Sequence, residues 1–281
     1  MQKQLADGVV EAWVRETQGW FTTKEIDTDL EILTASGKAS RKVILSRLFK
    51  KGIIERHPTV NGRYRLIDNS AAVLEWENAD VGNTVNLILP FGLHKLVSIY
   101  PKNEMVIAGD PNSGKTALLL NVIALNMNEF PIIYFTSEMG AEELKVRLSR
   151  FEHIGKWNFE ARERTSNFAQ VIKPDYVNII DYLEQTDNFY LVAEELNDIW
   201  NKLKNGVAII AIQKKQGARL GRGAEFSLEK PRLYLSMGNG TLEIIKAKNW
   251  AQEGINPNGR RWKFNLIQGC KFVNIQEQWS G

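Results

Sequence analysis

One stretch of the chain has the residue types and the spacing needed to hold phosphate groups. Residues 105–120 read Met-Val-Ile-Ala-Gly-Asp-Pro-Asn-Ser-Gly-Lys-Thr-Ala-Leu-Leu-Leu, and the pattern G-x-x-x-x-G-K-[ST] is complete from Gly109 to Thr116. Glycines let a loop wrap closely around an anion, and the N–H groups of the loop and of the following helix then face it. The runs on either side predict a strand, a turn and a helix that opens at Gly114. The stretch therefore predicts nucleotide binding.

Each position in this loop, called the P-loop below, has an expected role. Lys115 is placed to reach the β- and γ-phosphates of ATP, and Thr116 is placed to offer its hydroxyl to Mg²⁺. The alternative is a chance match, which average residue usage gives in a chain of this length roughly one time in a hundred. The predicted nucleotide-binding residues are Gly109, Asp110, Pro111, Asn112, Ser113, Gly114, Lys115 and Thr116.

The elements that must position this loop alternate between strand and helix. Apolar runs of strand length are separated by longer amphipathic runs, which is typical of a parallel sheet with flanking helices. A β-rich region over 232–279 ends the pattern. We therefore predict an α/β fold. The predicted strands are 85–89, 105–108, 131–136, 176–180 and 207–212, and the predicted helices are 93–97, 114–127, 141–151 and 189–204.

Three polar residues follow predicted strands, where such a sheet would gather them near the P-loop. Asp181 ends an apolar strand and is expected to hold Mg²⁺ opposite Thr116; alone, an aspartate in this position is common in loops. Glu138 is expected to orient or deprotonate the attacking water, or else to cap the following helix. Gln213 is expected to sense the γ-phosphate, or else is an ordinary residue at the start of a loop.

Further segments carry a resemblance to a known family. Residues 137–148 resemble the segment S-x-E-M-x-x-x-x-L-x-x-R, residues 180–183 resemble the segment I-D-Y-L, and residues 242–249 resemble a late strand that carries a lysine to the neighbour's nucleotide. Together with the P-loop they resemble the RecA-like superfamily of ATPases, nearest to the DnaB-like replicative helicases. The resemblance covers roughly residues 85–275. It implies a homo-hexameric ring with ATP between subunits and single-stranded DNA in a central channel.

The chain departs from that family pattern at one charged position. The late-strand lysine is best matched by Lys248, with Lys246 as a substitute, and the resemblance implies an arginine two residues later. That position is Trp250. The expected replacements for the trans-acting arginine are Arg260 and Arg261, in a segment predicted to be a hairpin with its turn at 258–259. The alternative for that segment is a plain solvated hairpin.

The first part of the chain is predicted to be a separate domain. Helices are predicted at 5–17, from about 22–25, and at 40–51, followed by a hairpin over 53–67 that turns at Asn61-Gly62. The third helix has an apolar face of residues at helical spacing, namely Val43, Ile44, Leu48 and Phe49. Three helices followed by a hairpin resemble a winged helix-turn-helix domain. The predicted boundaries are 1–68 for this domain, 69–84 for a linker with one helical turn in which Trp76 packs within the chain, and 85–281 for the ATPase core.

Basic residues concentrate in two segments that are predicted to contact DNA. Residues 36–65 carry nine basic residues and one acidic residue, on the presumed recognition helix and wing. Residues 214–231 combine glycines with cations in a loop suited to tracking a phosphate backbone. The alternatives are solvated surfaces or, for the first domain, protein contacts. The predicted DNA contacts are Arg41, Lys42, Arg47, Arg63, Arg65, Lys214, Lys215, Arg219 and Arg222.

Composition limits the remaining possibilities. The chain has 281 residues, 43% of them hydrophobic, which is comfortable for two domains with real cores. A single cysteine, Cys270, excludes an internal disulfide and a cysteine-based zinc cluster. No run long enough for a transmembrane helix and no signal-peptide segment is found, so we expect a cytoplasmic protein without membrane contact.

These observations support three hypotheses, of which the first two are the main ones. The first is an ATPase, converting ATP and water to ADP and phosphate, that works as a ring-forming helicase or translocase on single-stranded DNA in replication, in a phage or other mobile element. Its first domain would bind duplex DNA. The second is a DNA-binding ATP switch, such as a helicase loader, recombination mediator or regulator, without unwinding activity. In the third, the first domain recruits a protein partner.

Overall fold

The computed structural model describes residues 7–17, 19–68, 73–183 and 189–278. The chain divides into two compact units, residues 1–79 and 80–281. The boundary between the units lies inside the predicted linker. Among the described residues, no helix has both the length and the apolar character that a membrane crossing would need.

The first unit combines helices with a small antiparallel sheet. Its sheet has the order β1-β3-β2, and its core contains Val14, Phe21, Ile26, Leu45 and Ile54. A 3₁₀ turn, Trp76–Asn78, lies near its end. Its other elements are α1 (Asp7–Glu16), β1 (Trp20–Thr22), α2 (Thr23–Asp29), α3 (Ala35–Lys50), β2 (Ile54–Arg56) and β3 (Arg63–Leu66). The order of helices and hairpin agrees with the expected one, and the winged-helix assignment stays a prediction.

Helix α3 differs from its predicted bounds and face. It begins at Ala35 instead of residue 40, because the Thr34 side chain caps it by accepting a hydrogen bond from the Gly37 N–H. Ile44 and Leu48 are buried as expected. The remaining predicted face residue pair, Val43 and Phe49, is exposed, so that part of the prediction is wrong. Trp76 is also exposed, at 74%, instead of packed within the chain.

The second unit is built on one large sheet. In the described residues its strands follow the order β12-β11-β10-β9-β4-β8-β7-β5-β6. Pairs from β9 to β6 are parallel and pairs from β12 to β9 are antiparallel. The predicted α/β fold is therefore confirmed. The elements are β4 (Glu104–Gly109), α4 (Lys115–Asn126), β5 (Ile132–Thr136), α5 (Ala141–Ser149), β6 (Glu160–Glu163), β7 (Val177–Leu183), α6 (Phe189–Lys202), β8 (Val207–Gln213), β9 (Leu233–Gly238), β10 (Thr241–Ala247), β11 (Arg261–Ile267) and β12 (Lys271–Gln278).

Both faces of the parallel strands are buried, as continuous apolar runs in parallel sheets require. Helix α4 covers one face with residues such as Leu119 and Ile123. Helix α6 covers the other face with residues such as Leu196 and Ile199. The carboxyl ends of the parallel strands meet at one edge, where Gly109 pairs in register with Gln213 and Thr136 pairs with Asp181. This edge gathers the predicted catalytic residues.

Local elements of the second unit differ from prediction. Residues 85–89 are not a strand, because the backbone of Ile88 hydrogen-bonds with the Asn126 side chain instead of a neighbouring strand. The predicted helix at 93–97 is a 3₁₀ helix, Pro90–Lys95. An edge strand, β6, lies in a stretch without a predicted element. Residues 258–259 do not form a tight hairpin turn, since they belong to the longer connection between β10 and β11.

Candidate nucleotide-binding site

A cleft lies at the carboxyl edge of the parallel strands. It has a volume of about 280 Å³ and is lined by residues 111–117 of the P-loop and the start of α4. The predicted catalytic residues Lys115, Glu138, Asp181 and Gln213 all line it. Strands β4, β5, β7 and β8, which the sequence separates widely, are adjacent in the sheet and bring these side chains to one place.

Glycines fix the shape of the P-loop. Gly109 lies so close to the returning chain that a Cβ atom there would be 2.5 Å from Ser113 Oγ and 2.7 Å from Lys115 Cγ. Gly114 has φ +95° and precedes α4 as its N-cap, a conformation that side chains rarely adopt. The loop therefore closes on itself and presents the N-terminus of α4 to the cleft, which favours an anion.

The Lys115 side chain is hydrogen-bonded to the backbone of the P-loop. Its Nζ donates hydrogen bonds to the carbonyl oxygens of Gly109 and Asp110 at 3.1 and 3.0 Å. Burial lowers the pKa of the ammonium, while the nearby carboxylates of Asp181, Glu138 and Asp110 oppose that change. Neutral carbonyl groups therefore position the ammonium, and the carboxylates lie further away. A phosphate would form stronger hydrogen bonds with the ammonium than either carbonyl does, because it is charged.

Asp181 is buried beneath the cleft. The Tyr134 hydroxyl donates to its Oδ2 at 2.7 Å, and its Oδ1 has no hydrogen-bond partner among the described residues. Burial raises the pKa of Asp181, and the hydroxyls of Tyr134 and Thr116 and the charges of Lys115 and Arg147 oppose the rise. A buried carboxylate oxygen without a partner, beside the Thr116 hydroxyl, is the kind of hard oxygen pair that suits Mg²⁺. The residues therefore fit the ion.

Glu138 is exposed on the turn that follows β5. The Thr136 hydroxyl accepts hydrogen bonds from the N–H groups of Glu138 and Met139, at 3.4 and 3.1 Å, and so holds this turn. Helix α5 has Gly140 as its N-cap and no side-chain capping hydrogen bond. Glu138 lines the cleft, and both its proposed role with the attacking water and its alternative role at the start of α5 stay predictions.

Lys214 differs from its predicted place on a DNA-contacting surface. It is buried, at 7% exposure. Its Nζ donates to Ser236 Oγ at 3.0 Å and lies 3.9 Å from Asp110 Oδ1. Because β4 lies between β8 and β9, the side chain crosses the end of β4 under the P-loop. The ammonium lies beside the P-loop residue Asp110 and is too buried to form part of an exposed DNA-contacting surface.

Two further residues lie at the site but were not predicted from the sequence, Tyr134 beneath the cleft and Arg147 in its lining. Tyr134 is buried in β5, and nothing in its apolar run marks it as a partner of Asp181. Arg147, on α5, lines the cleft and donates through Nε and Nη2 to Glu143 Oε1 at 3.1 and 2.8 Å. Its place in the family-like segment after Glu138 was a usable signal. Leu266 and Gly269, from the β11–β12 hairpin, and Tyr182 of β7 also line the cleft.

The lysines predicted to act in trans lie at the other edge of the sheet. In β10, Ala247 pairs with Leu233, which pairs with Met105 at the amino end of β4. Lys246 Nζ donates to the carbonyl oxygens of Leu228 and Glu229. Burial, helped by Lys248 and Arg232, lowers the pKa of Lys246 to about 8. Neither Lys246 nor Lys248 lines the cleft of its own chain.

The candidate replacement arginines have partners within the chain. Arg260 pairs with Glu277 at 3.0 Å. Arg261 pairs with Glu243 at 2.7 Å, and Arg219 pairs with the same carboxylate. Neither Arg260 nor Arg261 lines the described cleft. Trp250 lies where the resemblance implied an arginine, and its indole N–H donates to the Ala247 carbonyl oxygen at 3.0 Å.

The predicted DNA contacts on α3 differ in their exposure. Lys42 and Arg47 are exposed on α3. Arg41 is different, because it pairs with both carboxylate oxygens of Asp27 at 3.0 and 2.8 Å and its side chain is only 12% exposed. It joins α3 to α2, so its guanidinium has a partner within the unit, and its assignment as a DNA contact stays a prediction.

Arg63 and Arg65 lie on β3. The Arg65 guanidinium pairs with Glu55 and lies 4.6 Å from the Trp20 ring centroid, and the Arg63 guanidinium lies 5.9 Å from it. These arginines therefore form a cation–aromatic cluster on the small sheet.

Only part of segment 214–231 is an open basic surface. Lys215 and Arg219 are exposed, while Arg222 is half-buried. The segment ends in a 3₁₀ helix, Ala224–Leu228, that contacts α6. Among the described residues, no group of three or more His, Cys, Asp or Glu residues forms a metal site.

The sheet order and the cleft give the second unit a RecA-like P-loop fold. In a solved structure, the KaiC-like protein PH0186 from the hyperthermophilic archaeon Pyrococcus horikoshii OT3 matches 70% of this chain and 99% of that chain, with a TM-score of 0.52 and 15% identity. No family model matches the sequence.

Curated relatives match a shorter segment. The DNA repair protein RadA of Listeria monocytogenes is 31% identical over 94 residues, which are 31% of this chain and 20% of that protein. RadA of Streptococcus pyogenes serotype M6 is 31% identical over 90 residues, with the same two shares. The match thus spans about a fifth of the length of these relatives.

Proposed function

We propose that the protein is an ATPase that hydrolyses ATP to ADP and phosphate and uses the reaction to act on DNA. The observation that carries the proposal is the convergence of Lys115, Thr116, Glu138 and Asp181 in one cleft at the carboxyl edge of the sheet. The similarity to proteins named for DNA repair supports the choice of DNA as the partner.

Each of these cleft residues has a separate role in the proposed reaction. The P-loop and the N-terminus of α4 bind the phosphates, and Lys115 moves from its carbonyl partners to the β- and γ-phosphates. Thr116 and Asp181 would hold Mg²⁺, which when bound neutralises charge on the phosphates. Glu138 takes a proton from the attacking water. Gln213 lies in register with Gly109, where it can sense whether the γ-phosphate is present.

Replacement of Lys115 tests the ATPase proposal. Lys115→Ala should abolish ATP hydrolysis measured by phosphate release, because the γ-phosphate loses the cation that the loop holds for it. Lys145→Ala, an exposed lysine on α5, should leave hydrolysis unchanged. Hydrolysis by Lys115→Ala at the rate of the unaltered protein would refute the assignment of the P-loop.

We further propose that the protein works as a homo-hexameric helicase or translocase, with single-stranded DNA in a central channel. The position of Lys246 and Lys248 at the sheet edge opposite the cleft supports a role at a neighbour's nucleotide, and Arg260 and Arg261 are the other candidates. Lys215 and Arg219 are the exposed cations proposed to contact single-stranded DNA, and the half-buried Arg222 is a further candidate. Electron microscopy with an ATP analogue and single-stranded DNA tests this, since monomers or dimers would contradict it.

The first unit is proposed to bind duplex DNA as a winged helix-turn-helix domain, through Lys42 and Arg47 on α3 and through Arg63 and Arg65 on β3. Lys42→Ala should weaken duplex binding in a filter or anisotropy assay, with a smaller salt dependence. Lys24→Ala, an exposed lysine on α2, is the matched control. Equal binding by both variants would instead favour a protein partner for this unit.

The second candidate function is a DNA-binding ATP switch, such as a helicase loader, a recombination mediator or a regulator. Trp250 in place of the arginine implied by the family pattern favours it, because an incomplete trans site slows hydrolysis. Strand displacement on a forked substrate separates the two candidates. DNA-stimulated hydrolysis with unwinding supports the helicase, whereas slow hydrolysis without unwinding supports the switch.

A further inference from the structure

The nucleotide cleft contains an arginine from its own chain. Arg147 lies on α5 and lines the cleft with Lys115, Glu138 and Asp181. Its charge lowers the pKa of Asp181 against the larger, opposite effect of burial. Burial raises the pKa of Tyr134, the hydrogen-bond partner of Asp181, and the charge of Arg147 opposes that rise. The guanidinium therefore lies within electrostatic range of the carboxylate proposed to hold Mg²⁺.

The other arginines considered for this reaction are placed differently. Arg261 and Arg219 share the Glu243 carboxylate, and Arg260 pairs with Glu277. Recruiting any of them to a neighbour's nucleotide would require one of these ion pairs to break. Trp250 carries no charge. Arg147 is already at the cleft and needs no other subunit to reach it.

The ion pair that holds Arg147 is easily exchanged. Its partner Glu143 lies one turn earlier on α5, and the two side chains are 36% and 51% exposed. Ion pairs this exposed contribute little to stability. A guanidinium binds a phosphate with two parallel hydrogen bonds, which are stronger than those to an exposed carboxylate. A phosphate in the cleft would therefore outcompete Glu143.

We propose that Arg147 acts in cis as the arginine that stabilises the γ-phosphoryl group during ATP hydrolysis. The inference rests on the proposed ATPase function. In nucleotide hydrolases such an arginine comes from the same chain in some proteins and from a partner in others. The water oxygen bonds to the γ-phosphorus, the bond from that phosphorus to the bridging oxygen breaks, and ADP leaves with the electron pair. The water proton passes to Glu138, and Arg147 neutralises charge without forming a covalent bond.

Substitutions on α5 separate this role from a structural one. Arg147→Ala should lower kcat on the order of 10³-fold, the size of effect found for such arginines, and should weaken binding of an ADP–aluminium fluoride complex far more than binding of ADP. Arg147→Lys should recover part of kcat. Glu143→Gln breaks the same ion pair and keeps the arginine, so it should retain kcat. If Glu143→Gln matched Arg147→Ala, the arginine would only support the helix and the proposal would fail.

Mixing two inactive variants tests whether the arginine acts within its own chain. Arg147→Ala keeps Lys115, and Lys115→Ala keeps Arg147. If Arg147 reaches a neighbour's cleft, mixed assemblies regain hydrolysis, which would overturn the proposal. If it acts in cis, mixtures stay inactive although differently tagged chains co-purify. If the tagged chains do not co-purify, each chain acts alone. The loss of kcat in Arg147→Ala then arises within one chain and supports the same conclusion.

The outcomes also distinguish this inference from the proposed function. If the unaltered protein does not hydrolyse ATP, the proposed function itself fails. If Lys115→Ala is inactive and Arg147→Ala is fully active, the ATPase stands and the inference fails. Arg150→Ala is the matched control, because Arg150 follows α5, donates to the Gln268 carbonyl oxygen and does not line the cleft. It should keep kcat unchanged.

Discussion

A buried carboxyl group at the start of β4 makes the stability of the protein depend on pH. Glu104 has no exposed surface, and neither of its carboxylate oxygens has a hydrogen-bond partner among the described residues. Burial raises its pKa from 4.5 to about 8, although the charge of Lys230 opposes the rise. The carboxyl is therefore protonated in the folded protein at neutral pH.

The sign of the pH dependence follows from this raised pKa. Between pH 4.5 and pH 8 the carboxyl is ionised in the unfolded chain and protonated in the folded protein. The folded state then binds more protons, so the free energy of unfolding falls as pH rises. At roughly 1.4 kcal/mol per pH unit, the loss by pH 8 is on the order of 5 kcal/mol. The stabilisation by the Glu104 carboxyl group is fully present only below pH 4.5, the pKa of this group in the unfolded chain.

Glu104→Gln tests this reasoning because an amide does not titrate. The free energy of unfolding is measured by urea denaturation for the variant and for the unaltered protein. The difference between the two values should shift in favour of the variant by several kcal/mol between pH 5 and pH 9. Any constant cost of the amide cancels in this comparison. Glu129→Gln, at an exposed position after α4, should show no such shift. A difference between Glu104→Gln and the unaltered protein that is the same at both pH values would refute the argument.

Two further predictions concern stability. Gly206→Ala should lower the free energy of unfolding by roughly 3 kcal/mol, because its Cβ would lie 2.2 Å from the Tyr176 carbonyl oxygen; Gly155→Ala, where the Cβ meets nothing within 4 Å, should change it by less than about 0.5 kcal/mol. Thr22→Ala should cost about 1 kcal/mol, since it removes the reciprocal capping of α2 with Glu25. Thermal unfolding checks both, and an unchanged transition would count against the contact concerned.

Features set by neighbouring residues were predictable from the sequence. The P-loop depends on Gly109 and Gly114 at fixed spacing and on the strand and helix around it, all within one local stretch. The strands after it are continuous apolar runs, which parallel sheets require. Once a parallel sheet is predicted, the carboxyl ends of its strands meet at one edge. That is why Glu138, Asp181 and Gln213 were expected near the P-loop.

Features set by distant residues were not predictable in the same way. Arg41 looked like part of a basic DNA-binding helix, but its partner Asp27 lies on another helix. Lys214 looked like the start of a basic loop, but Ser236 and the end of β4 bury it. The apolar run at 85–89 had strand character, yet Asn126 takes the backbone hydrogen bonds of Ile88. Tertiary partners overrode local pattern in each case.

The crossing of β4 by the Lys214 side chain ties two parts of the nucleotide site together. A buried ammonium is tolerated only while polar or charged groups compensate it. Here those groups are Ser236 at one end of the contact and the P-loop residue Asp110 at the other. A shift of Asp110 alters the balance of charge at Lys214, and segment 214–231 begins at that lysine. The conformation of the P-loop and the start of this segment are therefore energetically linked through one buried charge.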